Sequence, residues 1–436
     1  MESNLKVIFH TLRYRNFRLF FAGQTVSLVG TWMQHIATGW LVYRMTNSPL
    51  LLGVVGFASQ IPVLVLSPFA GVIADSSNRH RLLIVTQALA MLQALVLAAL
   101  VLTGTVQVWH IIALGVFLGC INSLDIPVRQ SFIVEMVEKK ENLANAIALN
   151  SLMFNSARLV GPSIAGFVIA FLGEGPCFLI NGISFLAVIA SLLAMDVKAV
   201  HVRKKKTDML NGVREGFSYA FGFAPIRFIL SLLSVISLTG MSYVVLMPVF
   251  ARDILKGGPE TLGFLMASIG VGALGATLYL ASRKTVVGLG RLIPASAFVF
   301  ASALILFSMS RTLWISMALL GSGGFGIMVN MAASNTILQT ISDDDKRGRV
   351  MSLYTMAFIG VSPFGSLAMG ALAGRIGVTN TLVMGGIVCI LASAIFATKL
   401  PLLRRAIHPI YRKIGIIPEV ASGMNAATGL SLPPED

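Results

Sequence analysis

Two charged side chains stand where an apolar chain has least reason to place them. Asp125, in "NSLDIPVRQSF", and Arg158, in "NSARLVGPSIAG", fall well inside long apolar runs. An ionised group in such a run costs at least about 2.5–3.5 kcal/mol on insertion scales, which makes each a functional-site candidate. Asp125 is able to take up and release a proton. Arg158 effectively never deprotonates, so it either binds an anionic substrate or holds a carboxylate. Spacing leaves their pairing open. If the run enters the bilayer at Ala144, Arg158 lies about 21 Å deep, too far from Asp125; if it enters at Leu149, a long arginine reaches. A third cluster, "GVIADSSNRHR" over 71–81, packs Asp75, Arg79 and Arg81 between two apolar runs. Such a knot is either a solvated turn or an ionic latch.

The elements that must position these groups follow from composition. The chain has 436 residues, 56% hydrophobic and 12% charged, with mean hydropathy +0.83. Soluble domains carry about 25% charge. Twelve apolar runs are long enough for a hydrocarbon core of about 30 Å at 1.5 Å per residue. They lie near 17–43, 50–74, 82–103, 108–128, 144–171 and 176–195, then 228–250, 261–281, 291–309, 313–337, 350–376 and 380–400. The first run is too long for the apolar region of a cleavable signal, so none is expected. Cys120, Cys177 and Cys389 all fall in or beside spans and suggest neither a disulfide framework nor a metal site.

Of the 33 lysines and arginines, 27 fall in the two tails and in the loops after spans 2, 4, 6, 8 and 10. Positive loops stay cytoplasmic, so both termini are expected inside an inner-type membrane. The net charge of +15 then reflects orientation and contact with anionic lipid rather than a nucleic-acid partner. The expected organisation is an N-terminal six-helix bundle (1–196), a basic cytoplasmic linker (197–227), a C-terminal six-helix bundle (228–400) and a partly mobile cytoplasmic tail (401–436). Leu210, Val213, Phe217 and Phe221 fall at helical spacing in the linker and suggest an amphipathic surface helix. The halves are weakly similar. Pro162 and Pro363, each on the fifth span of its half, stand 201 residues apart. A parallel duplication of six-helix units around a cavity is a transporter architecture.

Gly71-x-x-x-Asp75-x-x-Asn78-Arg79-x-Arg81 resembles the signature loop between spans 2 and 3 of the major facilitator superfamily, with Asn78 where that family usually has glycine. Asn tolerates a left-handed backbone, so a tight turn is expected to survive. The resemblance implies a cytoplasmic gate in which Asp75 accepts hydrogen bonds at its helix end. Arg79 and Arg81, together with Arg129 and the Arg347 and Arg349 of "RGRV", reach acids on neighbouring helices. "LRYRNFRLFFAGQTVSLVGTWMQ", "LVYRMTNSPLLLG", "NSLDIPVRQSF", "NSARLVGPSIAG" and "RGRVMSLYTMAF" look like the branch that holds enterobactin-exporter-like and macrolide-efflux-like proteins, the transmembrane secretion effectors. The similarity spans roughly residues 10–400. It implies an all-α fold of two pseudo-symmetric bundles, acting as a monomer that exports an amphipathic small molecule by proton antiport. Span 4 departs from many drug antiporters in carrying no arginine in "ALGVFLGC". The antiporter G-P-x-x-G-G becomes Gly161-Pro162-Ser163-Ile164-Ala165-Gly166, which keeps the bend motif but changes its spacing.

In that superfamily spans 1, 4, 7 and 10 line the cavity. Their polar and aromatic residues here are Gln24, Trp32, Gln34 and His35; Asn122; Ser237, Ser242 and Tyr243; and Asn330, Asn335 and Gln339. The amides serve a cavity or bind helix to helix, and composition does not separate the two. "GVGALG" (270–275) and "GSGGFG" (321–326) satisfy a dinucleotide-loop pattern but lie inside apolar spans, so they read as close-packing points. With no P-loop, no paired acids and no metal cluster, neither ATP use, a cofactor nor enzyme chemistry is expected. A lipid or lysolipid mover of the same fold is the alternative within transport, and a membrane enzyme or receptor the alternative outside it.

Overall fold

The computed structural model describes residues 10–136, 143–196, 217–283, 286–343 and 346–413. Among these the chain is almost wholly helical and has no strand. Six helices form the first half: α1 (Arg15–Thr46), α2 (Pro49–Ser76), α3 (Arg79–Leu102), α4 (Val108–Met136), α5 (Leu143–Leu172) and α6 (Glu174–Leu193). Six more form the second: α7 (Ala224–Ile254), α8 (Pro259–Ser282), α9 (Leu289–Met309), α10 (Leu313–Ile341), α11 (Arg347–Ile376) and α12 (Val378–Lys413). Eleven are long and apolar enough to cross a bilayer. The remaining one, α1, is 32 residues long but carries Gln24, Gln34 and His35 along its length.

Local sequence explains the helix ends. The bundle end that holds residues 10–15 and 413 is called inner, and the opposite end outer. At the outer end of α1, Asn47 takes a left-handed conformation (φ 49°) and its N–H donates to the Tyr43 carbonyl, a stop that asparagine tolerates. Ser48 then caps α2 by accepting from Leu51 N at 3.3 Å, with Pro49 at the first helical position. At the inner turn Asn78 is not left-handed, against the sequence expectation. It is extended (φ −69°, ψ 106°), and its Oδ1 accepts from Arg81 N at 3.0 Å. Asparagine here is the N-cap of α3. The linker residues 197–216 lie outside the described residues. From 217 to 222 the chain is helical, with the Phe217 and Phe221 rings stacked 5.8 Å apart. The tail is helical further than expected: α12 runs through Pro401 and Pro409 to Lys413, because Leu403, Ile407, Ile410 and Tyr411 pack on the core.

The pairing of helices repeats between the halves. In the first, α1 packs on α5 and α6, α3 on α4 and α6, and α2 on α4. In the second, α7 packs on α11 and α12, α9 on α10 and α12, and α8 on α10. The bundles join through α5 against α8 and α2 against α11, two contacts that exchange under the same two-fold relation. Trp109 and Trp314, exposed at the outer starts of α4 and α10, match an interfacial aromatic belt. Two helices lose regularity, both in the second half. α7 holds wide turns at Ile236–Gly240 and Phe250–Ile254 around a tight stretch, Met241–Leu246; α11 holds a wide turn at Met356–Gly360. Pro248 and Pro363 stand just beyond the tight stretch and the α11 turn. Each lacks an N–H and crowds the carbonyl four residues back, which forces the ladder to adjust.

Candidate functional site

Two glycine crossings and two contacts between α1 and α7 join the bundles at one end. On α5, Gly166 lies so close to α8 that a Cβ there would stand 3.0 Å from Glu260 Cα and 3.2 Å from Gly263 Cα. On α11, a Cβ at Gly370 would stand 2.8 Å from the Pro49 carbonyl oxygen and 2.9 Å from Gly53 Cα of α2. Only glycine lets the backbones come this near. Closer to the centre, Gly39 of α1 faces Pro248 of α7. At the rim, the Tyr43 hydroxyl donates to the Asp253 carboxylate, and Arg252 both donates to Asn47 Oδ1 (2.8 Å) and lies over the Tyr43 ring at 5.8 Å. One continuous apolar cluster runs through both bundles at this end, from Met33 to Tyr43 of α1 into α7, α8 and α12. At the inner end the first bundle has a separate cluster of its own, around Phe17, Phe132, Leu149 and Leu192. The bundles therefore share a core at the end where α1 meets α2, whereas at the opposite end the first bundle keeps a core of its own.

Gly39 and Tyr43, which meet α7, share a stripe of α1 at helical spacing with Trp32 and His35. Its outer members are closed by Pro248 and Asp253, whereas His35 is exposed and Trp32 half-buried. Trp32 and His35, whose rings are 5.9 Å apart, thus lie beneath the closed end; this point is called the apex. Arg158, half-buried, places its guanidinium 5.7 Å from the Trp32 ring centre. Phe154, one turn before it, meets Trp32 edge-on at 5.9 Å. Tyr243, on the tight stretch of α7, lies within electrostatic reach of Arg158. Asn122 on α4 and Asn335 on α10 are half-buried, and Gln339 is exposed and donates to Asn335 at 2.5 Å.

Other polar residues of these spans are placed between helices. Gln34 is buried, donates to Gln93 of α3 at 2.9 Å and accepts from Asn181 of α6 at 2.7 Å. Asn330 is fully buried and donates to the Ile293 carbonyl of α9 at 2.8 Å. Ser237 donates to the Phe358 carbonyl of α11 and Ser242 to the Ser237 carbonyl. Gln24 is buried. The physical reason is that an amide or hydroxyl inside a membrane bundle needs a polar partner, which Gln34, Asn330 and Ser237 find on a neighbouring helix and Ser242 on its own.

Asp125 and Arg158 are not brought together. The Asp125 carboxylate is buried between α3 and α4, where Thr86 (2.8 Å) and Gln87 (2.7 Å) donate to Oδ1 and Arg129, one turn on, pairs with Oδ2 at 3.1 Å. Of the other gate candidates, Gly71 and Asp75 lie on the last turns of α2, Arg79 and Arg81 open α3, and Arg347 donates to the Gln339 carbonyl at 2.9 Å, with Arg349 half-buried beside it.

The repeat register also differs from the proline-based one. Gly161 faces α1 (Val29 and Trp32) as Gly365 faces α7 (Leu238 and Ser242), and Gly166 faces α8 as Gly370 faces α2. The equivalent positions are thus 204 residues apart, and Pro162 corresponds to Ser366 rather than Pro363. The outer seal and the Tyr43–Asp253 contact were missed by sequence reasoning. A signal existed: Pro49-x-x-x-Gly53 and Pro259-x-x-x-Gly263 repeat at the outer starts of α2 and α8. The two glycine-rich patterns do pack α8 against α10, with Gly272 against Gly321 and Gly324 against Ile269.

Residues 7–425 match the family described as transmembrane secretion effector. The chain is similar to the staphyloferrin A transporter of Staphylococcus aureus, 28% identical over 387 residues that cover 87% of this chain and 95% of that one. It is also similar to the multidrug efflux pump Tap of Mycolicibacterium fortuitum, 24% identical over 88% of this chain and 95% of that one. In fold it matches a bacterial homologue of the human lysosomal transporter Spinster, solved in an inward-facing, unoccupied conformation. The TM-score is 0.68 at 12% identity, over 90% of this chain and 98% of that one.

Proposed function

The chain belongs to the transmembrane secretion effector family, within the major facilitator superfamily; from that premise we propose that it exports an amphipathic small molecule from the cytoplasm by alternating access. It is a membrane transporter and not an enzyme. The observation that carries the alternating-access reading is the arrangement of the bundles, joined by paired glycine crossings at one end, with a separate core in the first bundle at the other and an aromatic, cationic site between them; the export direction rests on the relatives. The family relatives named as siderophore transporter and multidrug pump support a substrate with both polar and apolar parts. The molecule acts as a monomer in an inner-type membrane, with both termini cytoplasmic and the basic inner loops against anionic lipid.

Proton exchange is assigned to Asp125, a buried carboxylate whose partners lie on its own bundle. Ionised, it draws Arg129, Thr86 and Gln87 onto one point and ties the inner ends of α3 and α4. Protonated, it releases Arg129 toward the gate turn that holds Asp75, Arg79 and Arg81, which biases the inner side toward closure. The test is efflux in inside-out vesicles with an imposed pH gradient, screened across siderophores, antibiotics and lysolipids. Asp125→Asn is expected to express normally and to lose gradient-driven transport. Full transport by that variant removes the coupling assignment; failure of the wild type to move any of the three classes removes the export reading.

A further inference from the structure

Resting on that reading, we infer that the apex holds an anion subsite: Arg158 receives the single acidic group of an amphipathic monoanion, whose apolar body lies against Trp32 and Phe154. Among the described residues no carboxylate stands within ion-pair distance of Arg158. Of the described acids, Asp125 pairs with Arg129, Glu174 with Arg44, Asp253 with Tyr43 and Asp343 with Tyr219, Glu260 accepts from the Gly258 N–H, and Asp196 is exposed beyond the end of α6. Arg158 instead has an aromatic face at 5.7 Å and partial exposure to the inner opening. A cation–π contact is worth about 0.5–2 kcal/mol, less than the cost of holding an ionised guanidinium at this depth. A guanidinium presents a planar fork of donors that fits an oxyanion bidentately. An anionic ligand thus supplies what the protein leaves out.

The surroundings narrow the class. One permanent positive charge at the apex balances one negative charge, so a monoanion leaves the loaded site neutral, whereas a dianion leaves net charge in a low-dielectric hollow. Trp32 and Phe154 meet edge-on and offer an apolar wall beside the guanidinium rather than a second cation. The site is also asymmetric. By the 204-residue register, the position matching Arg158 in the second half is Ser362. The acidic group is therefore held by the first bundle.

The experiment uses the purified full chain in nanodiscs and three matched probes: dansyl-leucine (a monoanion), dansyl-leucinamide (neutral) and dansylcadaverine (a cation). Binding is read from dansyl emission, and uptake from proteoliposomes. The wild type is expected to bind dansyl-leucine about tenfold or more tightly than the amide. Arg158→Gln is expected to bring the acid down to the amide while leaving the amide within about twofold of its own value. Arg158→Lys keeps the charge without the fork, loses several-fold for the acid alone, and serves if the glutamine variant does not fold. Equal binding of acid and amide by the wild type, or a preference that survives Arg158→Gln, overturns the subsite. If the probes bind and move without charge preference, the subsite alone falls. If the wild type neither binds nor moves any probe, the export reading falls with it.

Discussion

A methyl group at Gly263 should drive the transporter out of the state described here. An alanine Cβ at that position would stand 2.7 Å from the Pro162 carbonyl oxygen, 3.1 Å from Gly166 Cα and 3.4 Å from Gly166 N. All three are backbone atoms of α5, and none can swing aside. Ordinary contact requires α5 and α8 to separate by about 0.7 Å, and overpacking of this kind costs about 1–3 kcal/mol. The cost exists only while the outer ends are together, because the methyl gains room once the helices part. The ratio of outward-closed to outward-open molecules should therefore fall by about 5- to 150-fold. The assay is a single cysteine at His35, with Cys120, Cys177 and Cys389 replaced by serine, in right-side-out vesicles. A membrane-impermeant maleimide added outside reaches that position only while the outer end is open, so its labelling rate reads the open fraction. Gly374→Ala is the control, since a Cβ there meets nothing within 4 Å, and it should leave the rate unchanged. A Gly263→Ala protein labelled at the wild-type rate would refute the reasoning that this crossing is the outer seal.

Tyr43→Phe removes the hydroxyl that donates to Asp253 across the bundles. A hydrogen bond to a charged group is worth about 1.5–3 kcal/mol, so outside labelling at His35→Cys should rise at least about tenfold, and adding Asp253→Asn should give little further change. Gln34→Leu strands Gln93 and Asn181, its partners on α3 and α6. At about 0.6–1.7 kcal/mol per interhelical bond, the melting temperature should drop by several degrees in detergent, while the surviving protein keeps its substrate affinity; a selective loss of affinity without a loss of stability would instead place Gln34 in the cavity.

The spans were legible because a bilayer demands twenty apolar residues in a row, and that demand is written in composition. The faces of those spans were not. Gln34 and His35 are adjacent, similar in polarity and on the same helix, yet one ties three helices together and the other opens to the inner hollow. In a soluble helix the polar side marks water; here lipid and core are equally apolar, so polarity marks neither. Proline also misled the repeat register. Pro162 and Pro363 share a residue type and a helix position, but the contacts that fix equivalence are made by Gly161 with Gly365 and Gly166 with Gly370. Pro363 follows a wide turn that absorbs extra chain, which a count along the sequence does not show. Asn78 was legible as a departure from glycine, and its reason, capping rather than a left-handed turn, needed the backbone.

The two halves have kept the same seal and divided the remaining work. Both outer crossings are glycine on glycine at equivalent positions, as a rocking motion about a two-fold axis requires, since each closure must match its mirror. The charges do not repeat. Asp125 of α4 bonds to α3, and the residue making the matching contact from α10 to α9 is the neutral Asn330; Arg158 has Ser362 as its counterpart. The second half instead has the irregular turns of α7 and α11, next to Tyr243 and to the α2 crossing. On the proposed cycle, a bundle with regular helices and few charges inside it holds a proton and an acidic ligand in fixed geometry. A bundle with loosened ladders can change shape around them at low cost. Coupling then requires only that the charge state of the first half alter how the second half packs on it. On the proposed cycle such a change would pass near Arg158, which lies over Trp32 of α1 and within electrostatic reach of Tyr243 on the irregular stretch of α7.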